Sequence, residues 1–144
     1  MKKLLLSALL VLTVTSVANA DPRFGVIGTT AQGHGLYVTD DVYTAGVTYA
    51  SADFDGIEES RVILSANYKM AVDNKTGLTV GVDYSIMDSD VSGEENEIGL
   101  TVGVERAIAA NLALIVRGNV YTSNDDTDTT SIFNGGVVGV ALLF

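Results

Sequence analysis

The stretch Arg61-Val62-Ile63-Leu64-Ser65-Ala66-Asn67-Tyr68-Lys69-Met70-Ala71-Val72-Asp73 decides the fold. Val62, Leu64, Ala66, Tyr68, Met70 and Val72 fall on one parity; Arg61, Ile63, Ser65, Asn67, Lys69, Ala71 and Asp73 fall on the other. Successive side chains of a strand point to opposite faces, so this is a ribbon with one apolar and one mostly polar face. A helix would place apolar residues every three to four positions, and no stretch after residue 20 has that spacing.

The alternation recurs along the chain. Leu78, Val80, Val82, Tyr84 and Ile86 oppose Thr79, Gly81, Asp83, Ser85 and Met87. Ile98, Leu100, Val102 and Val104 oppose Glu97, Gly99, Thr101, Gly103 and Glu105. Leu112, Leu114, Val116 and Val120, with Gly118, oppose Ala113, Ile115, Arg117, Asn119 and Tyr121. Tyr43, Ala45, Val47 and Tyr49 form an earlier set, and Ile132, Val138, Val140, Leu142 and Phe144 a last one. These give strands near 42–52, 61–73, 78–87, 97–108, 112–122 and 131–144. Short links at 73–77 and 109–111 alternate with longer polar ones at 53–60, 88–96 and 123–131, the rhythm of consecutive antiparallel hairpins. Residues 22–41 supply two further strands around a Gln32-Gly33-His34-Gly35 turn, with Asp40-Asp41 as a turn at the opposite end. The expectation is therefore an all-β, closed, antiparallel up-and-down barrel of eight strands; one long strand over 24–38 would make it seven.

Lys2 and Lys3, the apolar run over 4–14 and Ala18-Asn19-Ala20 read as a cleaved export signal, so residues 1–20 are a signal peptide and 21–144 the barrel domain. Losing both lysines takes Lys plus Arg from 8 to 6 against 18 Asp plus Glu, a net charge of −12. A chain this acidic is not a nucleic-acid binder. It has no cysteine, which excludes a disulfide scaffold, a thiolate metal site and a Cys nucleophile.

Alternation does not say which face turns inward. A soluble exported barrel around a small apolar ligand would put the apolar parity inside, whereas a transmembrane barrel puts it outside against lipid. Three features favour lipid and the Gram-negative outer membrane. The polar parity is rich in Gly, Ser, Thr and Asn and poor in long charges, which suits a narrow lumen. Five apolar positions on one parity span roughly 25 Å when tilted ~40°, the height of the apolar band of such barrels. The chain also ends within a strand, on Phe144.

Export signal, alternating strands and terminal Phe together resemble the small eight-stranded outer-membrane barrels of the OmpX and opacity-protein type. The resemblance covers the whole mature chain as a pattern. It implies that Gly139, Leu142 and Phe144 form the C-terminal signal read by the barrel-assembly machinery, with Val137 standing where a polar residue is usual. The absence of Trp is a second departure. It leaves Tyr43, Tyr49, Tyr84, Tyr121, Phe24, Phe54 and Phe144 as candidates for the interfacial aromatic girdles.

Eight strands enclose space only for their own side chains, so an open pore is not expected. Charges in a closed lumen need partners. The inward parity carries Arg61, Lys69, Asp73, Asp83, Glu97, Glu105 and Arg117, with a paired network expected around Asp83, Glu105 and Arg117. A narrow channel is the alternative. The one histidine, His34, falls in a Gly-flanked turn without a recognisable Ser motif, so no enzyme and no cofactor is expected. The long links hold Asp53, Asp55, Glu58 and Glu59, then Asp88, Asp90, Glu94 and Glu95, then Asp125, Asp126 and Asp128. Solvation alone accounts for acidic loops. Asp53, Asp55, Asp125, Asp126 and Asp128 are weak candidates for a divalent cation or for lipopolysaccharide bridged through one. The reading is an outer-membrane barrel with a structural or surface-interaction role.

Overall fold

The computed structural model describes residues 22–124 and 129–144, so the expected signal peptide at 1–20 lies outside the described residues. Eight strands follow in order: β1 (Arg23–Thr29), β2 (His34–Thr39), β3 (Tyr43–Phe54), β4 (Ile57–Ala71), β5 (Thr76–Ser89), β6 (Gly93–Ala109), β7 (Leu112–Asn124) and β8 (Thr129–Leu143). Each pairs antiparallel with the next, and β8 returns to β1 to close the barrel. The described residues therefore form eight strands, and the seven-strand alternative falls.

The alternation decides the faces. Leu100 and Val82 are 47% and 45% exposed, while their neighbours Thr101 and Asp83 are 1% and 5% exposed. The apolar parity points outward and the small polar parity fills the interior. That interior also holds an apolar cluster, Ile27, Tyr37, Ala113, Ile115, Ala141 and Leu143, at the end of the barrel nearest the β1 start and the β8 end. Ala113 and Ile115 share the inward parity with Arg117, so the inner face of the base is apolar on the side of β7, β8, β1 and β2 and polar across from it, where Thr39 and Glu105 are buried.

Three expectations are corrected. First, 53–60 and 88–96 are not long loops. β3 pairs with β4 as far as Phe54↔Ile57, and β5 with β6 as far as Ser89↔Gly93. Asp53, Glu58, Glu59, Asp88, Glu94 and Glu95 thus sit on strands. The β3–β4 link is reduced to Asp55 and Gly56, at φ 54° and 81°, the positive values that a tight hairpin matching the strand twist requires.

Second, the first hairpin turns at residues 30–33. Gly33 takes φ +73°, and an added Cβ there would lie 1.9 Å from the Tyr49 carbonyl oxygen. His34 and Gly35 already belong to β2, paired with Tyr49 and Thr48.

Third, Tyr121 faces outward. Leu100 pairs with Tyr121 while Thr101 pairs with Asn119, which leaves Val120 as an extra residue in β7. Such a bulge flips the parity beyond it.

Candidate functional site

The interior charges are placed by β6, whose Glu97, Thr101 and Glu105 step down one inward face at four-residue intervals, about 14 Å between successive levels. At the level of Glu97, Arg61 Nη2 donates to Glu97 Oε1 at 2.9 Å and to Ser85 Oγ at 3.0 Å. Midway, Arg117 Nη1 lies 3.8 Å from Asp83 Oδ1, both side chains 6% exposed. That is an ion-pair distance without a hydrogen bond. Gln32 Nε2, from the first turn, donates to the other Asp83 oxygen at 3.3 Å. Lower, Thr101 Oγ1 donates to Asn67 Oδ1 at 2.8 Å.

At the base, Lys69 Nζ donates to Glu105 Oε1 at 3.2 Å and to Thr39 Oγ1 at 2.8 Å, and Tyr37 Oη donates to Glu105 Oε2 at 2.5 Å. The expected Asp83, Glu105 and Arg117 cluster is thus split. Arg117 stays with Asp83, while Glu105 goes to Lys69, because Asp83 pairs with Gly99 and Glu105 lies six residues further down β6. Asp73 leaves the lumen altogether. It sits in the β4–β5 turn, where its carboxylate accepts the backbone N–H groups of Lys75 and Thr76 at 2.7 and 2.8 Å. Those bonds, the one from Lys75 foremost, hold its carboxyl below the ordinary range.

Three oppositely charged pairs thus stand at three levels of the interior, the lowest of them beside the apolar cluster through Tyr37. Several buried atoms, those of the middle pair among them, make no hydrogen bond: Arg117 Nε and Nη1, Asp83 Oδ1, Gln32 Oε1, Thr48 Oγ1 and Thr79 Oγ1. The role of Gln32 had no signal in the sequence pattern, since a turn residue reads as solvent-facing.

The carboxylates on the upper hairpins do not converge. Among the described residues no group of three or more His, Cys, Asp and Glu side chains stands close enough to hold a metal ion. Asp53 Oδ1 accepts the Gly56 N–H at 3.0 Å and so serves its own turn. Asp125, Asp126 and Asp128 lie outside the described residues. His34 is exposed on β2. On β8 Leu142 points outward and Gly139 packs against Thr29 on the inner side, while Phe144, one residue past the strand, is exposed.

No family model matches the sequence, and no curated protein matches it. Among solved structures the barrel is similar to OmpT (in-vitro folded), an outer membrane protein of Vibrio cholerae, with TM-score 0.37 and 17% identity over 87% of this chain and 42% of that one. The chain thus spans about two fifths of that protein's length.

Proposed function

We propose that the chain is an integral outer-membrane barrel of the OmpX and opacity-protein type, inserted by the barrel-assembly machinery through Gly139, Leu142 and Phe144. Its role is structural or interactive: the wall packs against lipid, the lumen is plugged, and acidic hairpins meet partners outside, with divalent cations or lipopolysaccharide among the candidates. One observation carries the reading. Leu78, Val80, Val82, Ile98, Leu100, Val102, Val116, Val138 and Val140 are each more than two fifths exposed, a continuous apolar surface over the four adjoining strands β5 to β8. Water would oppose a patch of that extent, and acyl chains would not. Two aromatic levels support it: Phe24, Tyr43, Tyr68 and Phe144 toward the end with the termini, Tyr49 and Tyr121 toward the hairpins. Tyr43 and Tyr68 meet edge to face, with centroids 5.8 Å apart. Belts of this kind mark the two membrane interfaces.

A heat-modifiability gel on isolated outer membranes tests the reading. A barrel in the membrane is expected to migrate differently before and after boiling. Recovery of the protein in the periplasmic extract, with a single band in both lanes, would overturn it.

A further inference from the structure

Charge is divided unevenly between the two ends of the barrel. Among the described residues the exposed carboxylates Asp53, Asp55, Glu58, Glu59, Asp88 and Asp90 stand at the hairpin end, with no exposed cation beside them. Every exposed cation, Arg23, Lys75 and Arg106, stands at the end with the termini, together with Asp41 and Asp73. Arg23 is committed there, its Nη1 donating to the Ala110 carbonyl at 2.8 Å. Lys75 and Arg106 are not.

These two cations are neighbours on the ladder. Arg106 pairs with Thr76, and the Ala107 N–H donates to the Lys75 carbonyl at 2.7 Å. Arg106 Nη1 donates only to Thr76 Oγ1, at 3.4 Å, and no described carboxylate stands within ion-pair distance of either cation. Asp73, in the turn that holds Lys75, has its carboxylate engaged by the backbone N–H groups of Lys75 and Thr76. Two cations against that one carboxylate leave a local excess of one positive charge.

Their depth is set by β6. Its outward face reads Asn96, Ile98, Leu100, Val102, Val104 and Arg106, a polar residue at each border of an apolar run. From Asn96 to Arg106 is a rise of roughly 26 Å for a strand tilted ~40°, against an apolar band about 25 Å high. Arg106 therefore stands where acyl chains give way to headgroups. A long cationic side chain at that border keeps its stem on the apolar wall and its charged head at the interface.

We propose that Lys75, Thr76 and Arg106 hold the phosphate of an anionic phospholipid, such as phosphatidylglycerol, in the leaflet at the end with the termini. The guanidinium fork suits two phosphate oxygens, the ammonium adds a point charge, and Thr76 adds a hydroxyl. The lipid head is one without a cation of its own, because the local positive excess repels choline or ethanolamine. At the hairpin end, where carboxylates alone are exposed, the same head is repelled, so the contact belongs to one leaflet. The site rests on the membrane reading above, and the test separates the two.

The chain has no Trp, so one introduced Trp reports without background. Leu114→Trp stands directly across from Arg106 on β7, and Ile98→Trp stands near the opposite border of the band as the comparison. Each is refolded in phosphatidylcholine vesicles, with heat-modifiability confirming folding. The quenching probes are phosphatidylglycerol and phosphatidylcholine with the same bromine label high in the acyl chain. Leu114→Trp is expected to be quenched at a roughly fivefold lower fraction of the labelled phosphatidylglycerol than of the labelled phosphatidylcholine, the effect of one net positive charge at a membrane surface. Lys75→Gln combined with Arg106→Gln, both at exposed positions, is expected to abolish that preference, and Ile98→Trp is expected to show none. Equal quenching by the two lipids at Leu114→Trp, a preference that survives the double substitution, or the same preference at Ile98→Trp would overturn the site. No quenching of either Trp by either lipid would remove the membrane reading itself, and the site with it.

Discussion

Lys69 reaches Glu105 across the face of Gly77. Lys69 lies on β4 and Glu105 on β6, and the strand between them has Gly77 paired directly with Glu105. The lysine stem lies where a side chain at 77 would begin: an ideal Cβ there falls 2.6 Å from Lys69 Cγ and 2.8 Å from Cδ. Gly103 does the same for Arg117, with 2.5 Å to its Cγ. The inward glycines are thus the channels along which long cationic side chains cross to their partners.

Gly77→Ala is therefore expected to destabilise the barrel by about 1–3 kcal/mol, the usual range for overfilling a packed interior. The added methyl must displace the Lys69 stem and with it the bond to Glu105. Urea unfolding in lipid vesicles gives the value. In Lys69→Ala the same Gly77→Ala change is expected to cost much less, since the clash is gone; additive costs would show that the stem is not the obstacle.

The outward face makes a sharper prediction about its solvent. Val102 sits mid-height on β6, 41% exposed between Val80 and Gly118. Val102→Lys is expected to cost about 2–4 kcal/mol in lipid vesicles, as a charge on the lipid face at the midplane does. At a water-facing position the same change would stay within about 0.5 kcal/mol. The unfolding midpoint of the purified variant decides between them.

How far the pattern could be read ahead of the fold follows from where contrast exists. Over residues 61–73 and 78–87 the two faces meet different surroundings, and a period of two survives in the residue types. Above that band both faces are polar, as Glu58 and Glu59 are side by side, and a strand there looks like a loop. Partner choice was hidden for another reason. Glu105 and Arg117 share the inward parity, but which level each occupies depends on register and stagger, which parity does not carry. Val120 hid the same way: a single inserted residue leaves the composition of β7 unchanged while turning Tyr121 outward.

At the opposite end, the Asp73 carboxylate accepts two backbone N–H groups in a fully exposed turn. Its carboxyl is depressed in the folded state, so its contribution is present above the unfolded carboxyl range of about 3.9 and is lost as pH falls through the lower folded value. Asp73→Asn is expected to be less stable than the parent at neutral pH, with the difference closing below pH ~4. Paired urea titrations across that range read it. A difference that persists unchanged in acid would mean the turn is held by something other than this ionised group.

The bulge in β8 isolates backbone strain from packing. Gly118 pairs with Gly136 and Asn119 with Asn134, so Gly135 is the residue left over, and it takes φ +78°. An added Cβ there meets nothing within 4 Å, so space is no obstacle. At Gly136 the nearest atom is the Arg117 carbonyl oxygen at 3.7 Å, an ordinary contact, and φ is not left-handed. Gly135→Ala is therefore expected to cost about 1–2 kcal/mol from its left-handed φ alone, while Gly136→Ala, one residue away, is expected to cost little. Gly135→Asn is expected to fall between, because Asn tolerates that region better than other side chains. Equal costs at 135 and 136 would mean that filling space, and not the backbone angle, governs this part of the wall.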